Sequence, residues 1–318
     1  KNNYQLAYKF INQALEIEPS NLDILCDIGN ILYALGDISA ATDKYKEVLS
    51  INPKSIQALT NLGTTYKTKG QLDKSYDFYS LALEVNPDSI VVMNNIALVH
   101  SERGEFQEAI DILQKLINLD SSNAYVFVNL ANAYKEIGDI NRSIINYLNS
   151  LKLIPDLPEA HTNLAFAYLL SGNYSQGWEE YTWRTKTENS RCKPHLEAAS
   201  REFMKIEFRK GEKLLLISEQ GLGDTIQFIR YAIYLRNLGL DLKICIQDKL
   251  HTLIKTAGID DDPLSPNDIL AVNDREWISL LSLPRLLKVS PQNPLISCKY
   301  ISPSVELVEK WKRIFSTT

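Results

Sequence analysis

Pro19, Pro53, Pro87 and Pro155 stand 34 residues apart or at a multiple of that interval, and Ser121 fills the one vacant slot. Such a period constrains a fold more than any local pattern does, because each unit can bury its apolar face only against the next copy. The same frame aligns Ile28-Gly29, Leu62-Gly63, Ile96-Ala97, Leu130-Ala131 and Leu164-Ala165. Seven residues later it aligns Gly36, Gly70, Gly104, Gly138 and Gly172.

Each unit reads as two antiparallel helices, A and B. The small residue after Ile or Leu lets a neighbouring helix approach closely, and the glycine seven positions on ends helix A in a left-handed conformation. Tyr45, Tyr79, Leu113, Tyr147 and Tyr181 are the bulky knobs of helix B, which the proline then stops. On these residues the first half resembles a tetratricopeptide-repeat array, an α-solenoid. Full units fall at 22–55, 56–89, 90–123 and 124–157, and a variant capping unit begins at 158. Residues 1–21 look like helix B of an earlier repeat, so the chain is expected to open inside the array.

A solenoid of this type presents an extended concave surface made by its A helices. The residue before each Ile/Leu-Gly/Ala pair is Asp27, then Asn61, Asn95, Asn129 and Asn163. An asparagine amide both donates and accepts, so such a row can pair with the backbone of an extended peptide without reading its side chains. It can equally tie adjacent helices together. The row is similar to the asparagine ladder of O-GlcNAc transferase, which implies a protein or peptide partner.

Charge narrows the partners further. The chain carries 34 basic and 39 acidic side chains, and residues 201–318 hold 17 and 15 of them. Neither half has the basic footprint that nucleic acid requires. No apolar run approaches the roughly 20 residues of a membrane span. Four dispersed cysteines, Cys26, Cys192, Cys245 and Cys298, form no C-x-x-C pair, which points to a reducing cytoplasm. His100, His161, His195 and His251 are isolated, and Asp260-Asp261-Asp262 lacks regularly spaced oxygen ligands, so no metal site is expected.

After Gly172 the repeat pattern changes to Gly177-Trp178-Glu179-Glu180-Tyr181-Thr182-Trp183-Arg184. This aromatic density suggests a cap that docks onto the following domain, with the array ending at 187 and a linker over 188–212. From Lys213 the periodicity predicts a strand to Ser218, a Gly-rich turn at Glu219–Asp224, and a helix over Thr225–Leu238 closed by Gly239. A second strand follows at Asp241–Gln247 and a second helix at Leu250–Ala257. That order implies a parallel sheet in a Rossmann-like lobe over 213–318, with ligands bound outside the carboxyl ends of its strands. A dinucleotide fingerprint would need glycine in place of Ile226, which argues against NAD. Asp224 at the start of the helix suits either a base toward a hydroxyl or a helix N-cap.

The stretch Ser218–Tyr231, with Gly177-Trp178 upstream and Trp277–Arg285 downstream, resembles bacterial proteins that fuse tetratricopeptide repeats to a glycosyltransferase-like domain of heptosyltransferase type. The resemblance implies the N-terminal, acceptor-side half of a two-lobed GT-B fold. It assigns Asp224 as the base. Glu219, Gln220, Gly221 and Gly223 of the loop, with Gln227 and Tyr231 along the helix, are expected at the acceptor side. Phe228 is expected in the core. A nucleotide-sugar donor is expected in the full-length protein but no cofactor in this chain, since the second lobe should begin after a helix at Val305–Phe315. The acceptor could be a polypeptide on the repeats or a glycan. The opposite class, a non-catalytic adaptor working through its repeats alone, fits the same sequence.

Overall fold

The structure is a computed structural model that describes residues 2–187, 201–203, 205, 207–219, 221–296, 299–303 and 305–316. It divides into two compact units, Lys1–Ala160 and His161–Thr318. The division falls inside the variant fifth repeat rather than after residue 187. Most of the expected linker, 188–200, lies outside the described residues.

The first unit is helical throughout. After α1 (Asn2–Ile17), A and B helices alternate: α2 (Leu22–Leu35), α3 (Ile38–Ile51), α4 (Ile56–Thr68), α5 (Leu72–Val85), α6 (Ile90–Glu102), α7 (Phe106–Leu119), α8 (Ala124–Glu136) and α9 (Ile140–Leu153). Each helix touches its sequence neighbour, and successive A helices also touch one another. Side-chain caps from Asn21, Asp37, Ser55, Asn123 and Asp139 satisfy amides that the first turns leave open. Gly36, Gly70, Gly104 and Gly138 adopt the positive φ their spacing predicts, between 70° and 93°. Proline holds the residue before it in extended backbone, as Asn52, Asn86 and Ile154 are, although B helices do not require it to end. They stop two residues before it, and α7 stops at the same slot ahead of Ser121. There Asp120 accepts both the backbone N–H and the hydroxyl of Ser122, which holds its carboxyl below the usual range.

Packing between the helices of one repeat follows from the knob. A Cβ on Gly63 would stand 2.5 Å from the Tyr79 ring, so at this approach the ring must shift to admit any larger residue. Each buried tyrosine hydroxyl then needs a partner, and helix A supplies it one turn beyond the ladder position. Tyr45 donates to Asn30 at 2.9 Å, Tyr79 and Thr64 share a bond of 2.9 Å, and Tyr147 donates to Asn132. In the third repeat the knob is Leu113 and the corresponding residue is Leu98, so donor and acceptor are both missing.

The second unit contains the C-terminal part of α10 (Pro158–Leu170), α11 (Tyr174–Glu180) and a 3₁₀ turn at Tyr181–Lys186. Three parallel strands follow, β1 (Lys213–Ile217), β2 (Asp241–Cys245) and β3 (Glu276–Ser279), in the order β2-β1-β3. The third strand, only four residues long, has no counterpart among the expected elements. The helix expected over 225–238 is two, α12 (Leu222–Phe228) and α13 (Arg230–Asn237). The break releases helical carbonyls that side chains take up: the Tyr300 hydroxyl donates to Ile226 O at 2.7 Å, and Arg230 Nε to Gln227 O at 2.6 Å. The unit also contains α14 (His251–Thr256), α15 (Leu283–Leu286) and the amphipathic α16 (Val305–Ser316). One apolar core joins Leu214, Leu216, Ile244 and Ile278 of the strands to Tyr181 of the cap. The cap docks as its aromatic content suggests: the Trp178 indole N–H donates to Val289 O at 3.0 Å.

Candidate functional site

Helical geometry places residues i, i+4 and i+7 on one face. The ladder positions therefore sit in a stripe on each A helix: Asp23-Asp27-Asn30 on α2, Gln57-Asn61-Thr64 on α4, Val91-Asn95-Leu98 on α6 and Tyr125-Asn129-Asn132 on α8. The stripes are adjacent, because their amides meet across helices. Asn61 Nδ2 donates to Asn30 Oδ1 at 2.9 Å, and Asn129 Nδ2 to Asn94 Oδ1 at 3.0 Å. Two ladder residues thus tie neighbouring helices, each spending one N–H and leaving its carbonyl oxygen without a hydrogen bond among the described residues. The side chains of Asn95 and Asn163 are half-buried and make no hydrogen bond among the described residues. Asn30 and Asn94, which orient the amides, stand outside the ladder slot, and a frame drawn on that slot alone passes over them.

In the second unit, Glu219, Gly221, Gly223 and Asp224 follow the carboxyl end of β1, and Gln220 lies outside the described residues. Glu219 does not face an acceptor. It is 6% exposed, and its carboxylate receives Nη2 of the equally buried Arg184. The same guanidinium reaches Ser282 Oγ at 3.0 Å and Tyr181 O at 3.0 Å and lies over the Tyr181 ring. Arg184 therefore joins the three segments on which the resemblance rests: the cap, the Gly-rich loop and the Trp277–Arg285 stretch. Long sequence separation hides that junction, and an arginine at the end of an aromatic run was its only local sign.

Gly221, in extended backbone, is the N-cap of α12, so Asp224 does not serve that role. Asp224 is half-buried, with a carboxylate oxygen 3.5 Å from where a Gly221 Cβ would lie. Among the described residues it accepts no hydrogen bond. A Cβ on Gly223 would meet open space. Gln227 is exposed, whereas Tyr231 is 6% exposed and packs in the core, where burial raises its hydroxyl pKa. Tyr231 shares its apolar cluster with Ile229, Ala232 and Leu235. Phe228 sits edge-on to Trp178, as expected of a packing residue.

Beside the loop, Leu222, Gln247, Asp248, Lys249, Pro266 and Asn267 line a cavity of about 410 Å³. Thr225 Oγ1 donates to Gln247 Oε1 at 3.0 Å, fixing that amide at its rim. No group of His, Cys, Asp and Glu side chains among the described residues is arranged to hold a metal ion. No helix among them is long and apolar enough to cross a membrane. Cys26 and Cys245 are buried and unpaired, and burial pushes their thiols up to about 11 and about 12. Cys192 and Cys298 lie outside the described residues.

Comparison with known proteins agrees with the helical half. The TPR repeat family matches residues 29–70 and 131–172, and a second tetratricopeptide repeat family matches 55–122. These spans carry tetratricopeptide repeats. No curated protein matches the chain. Among solved structures, MamA is 24% identical over 49% of this chain and 91% of its own, with a TM-score of 0.44. TTC0263, a tetratricopeptide-repeat protein of Thermus thermophilus, is 21% identical over 53% of this chain and 92% of its own, TM-score 0.48. YrrB, a tetratricopeptide-repeat protein described as having an unusual peptide-binding site, is 15% identical over 55% and 91%, TM-score 0.43.

Proposed function

We propose that the A-helix face of the array binds an extended segment of a partner protein. The observation that carries this is the oriented amide: Asn61 and Asn129 are each held by a neighbouring asparagine and keep an open carbonyl oxygen, the acceptor that a peptide N–H requires. Replacing Asn61, Asn95 and Asn129 together by Ala should weaken capture of unstructured polypeptide about tenfold or more, with helix content unchanged by circular dichroism. Undiminished binding would overturn the ladder's role.

A second function is favoured by one observation in the α/β unit. Asp224 offers a carboxylate without a hydrogen bond among the described residues, at the carboxyl end of a central parallel strand and beside Gly223, where a Cβ would meet open space. Its resemblance to heptosyltransferase-type domains makes this the acceptor side of a glycosyltransferase, with Asp224 taking the proton of the acceptor hydroxyl as it attacks the anomeric carbon of a nucleotide-sugar. In the protein as its gene encodes it, Asp224→Asn should abolish transfer from labelled nucleotide-sugars to peptide or glycan acceptors and leave partner capture intact. Transfer that survives Asp224→Asn removes Asp224 as base. A protein that captures partners but transfers no sugar is an adaptor.

A further inference from the structure

The four stripes of the array are not equivalent. Helix α2 presents two carboxylates, Asp23 and Asp27, both exposed. Helix α4 presents neutral polar groups. Helix α6 presents Val91 and the half-buried Leu98 on either side of Asn95, and α8 adds Tyr125; Val91 is 65% exposed and Tyr125 52%. Leu98 stands in this section because the third repeat replaces the tyrosine and its polar partner by Leu113 and Leu98.

Charge on this face is otherwise balanced. Lys67 pairs with Glu102 at 3.6 Å and Lys135 with Glu136 at 3.5 Å. Asp27 accepts a long hydrogen bond from Asn30 Nδ2 at 3.4 Å, but among the described residues neither Asp23 nor Asp27 lies within ion-pair distance of a cation. Two carboxylates at i and i+4 repel each other, so an incoming cation relieves a repulsion as well as forming a pair.

We propose that the array selects an extended polypeptide carrying a basic side chain over Asp23 and Asp27 and an apolar side chain over Val91, Leu98 and Tyr125. This rests on the reading of the A-helix face as a polypeptide site and gives it sequence preference. Neighbouring helix axes lie about 8–10 Å apart, so α2 and α6 are about 16–20 Å apart. An extended chain advances roughly 3.3 Å per residue, which puts the two selected side chains about five or six residues apart.

The test uses the 318-residue chain and labelled synthetic dodecapeptides in which one Lys and one Leu are separated by two to eight Gly and Ser residues, read by fluorescence anisotropy. Binding should peak when Lys and Leu are about five or six positions apart, and Lys→Glu in the peptide should weaken it about fivefold. That preference should vanish near 1 M salt, where screening acts within about 3 Å. The double variant Asp23→Asn, Asp27→Asn should bind Lys and Glu peptides alike while still preferring Leu over Ser. Leu98→Asn with Tyr125→Ala should do the reverse. Equal binding of Lys and Glu peptides by the unaltered protein, or a Lys preference that survives the double variant, overturns the proposal. Absence of binding by every peptide would instead remove the polypeptide reading beneath it.

Discussion

The two units bury their interiors by opposite means. In the repeat unit every helix touches its sequence neighbours, and the same contact recurs at a fixed interval, as with Tyr45 on Gly29 and Tyr79 on Gly63. In the α/β unit the core is drawn from residues far apart in the chain: Tyr181, Leu214, Ile244 and Ile278 share one cluster, and Arg184 reaches Glu219 and Ser282. Stability in the first is a sum of similar local terms, so damage to one repeat is partly confined. Stability in the second rests on single junctions whose loss affects the whole unit. The tryptophans make the contrast measurable, since Trp178, Trp183, Trp277 and Trp311 all lie in the second unit while helical dichroism comes chiefly from the first.

The largest effect is expected at Arg184. Arg184→Met leaves the Glu219 carboxylate buried without its cation and should destabilise the α/β unit by about 3–5 kcal/mol. In urea the tryptophan transition should move to lower concentration while the dichroism transition of the array moves little. Adding Glu219→Met should recover most of the loss. If both transitions move together, the units do not unfold independently.

Next come the knobs. Tyr147→Phe leaves Asn132 without its donor and should cost about 1–3 kcal/mol, seen in the dichroism transition. Gly63→Ala should cost a similar amount by overpacking against Tyr79, although the fourth repeat accommodates Ala131 beside Tyr147. Converting the second repeat to the third repeat's pattern with Tyr79→Leu, Thr64→Leu and Gly63→Ala should cost less than the sum of the single changes, because the polar atoms leave together.

A smaller effect concerns pH. Burial raises the hydroxyl pKa of Tyr45, Tyr79 and Tyr147 above the ordinary value near 10. The folded state therefore holds these protons more tightly than the unfolded chain does. The stabilisation is fully present below about pH 10 and is lost as pH rises from there toward the folded values. The array's melting temperature should fall above about pH 10, while Tyr45→Phe, Tyr79→Phe and Tyr147→Phe combined should flatten that fall. The smallest change in stability, within about 0.5 kcal/mol, is expected for Asp23→Asn with Asp27→Asn, which are exposed and make no ion pair among the described residues.

Periodicity alone determined the repeat boundaries, the positive-φ glycines, the tyrosine knobs and the position of the asparagine row, because a solenoid is a one-dimensional arrangement in which contacts follow from the interval. The strands β1 and β2 and their parallel order were legible for a related reason, being local runs joined by a recognisable crossover. Other features needed tertiary structure. Glu219 looks like a loop ligand until Arg184, 35 residues earlier, is brought against it. Tyr231 is spaced to share a face with Asp224, but it packs in an apolar cluster with Ile229, Ala232 and Leu235. The ladder asparagines can be peptide ligands or helix ties in any alignment of repeats, and only the meeting of Asn61 with Asn30 and Asn129 with Asn94 makes two of them ties with an open carbonyl. A period fixes which residues recur on a face; the direction in which each amide or carboxylate spends its hydrogen bonds depends on neighbours that no local pattern names.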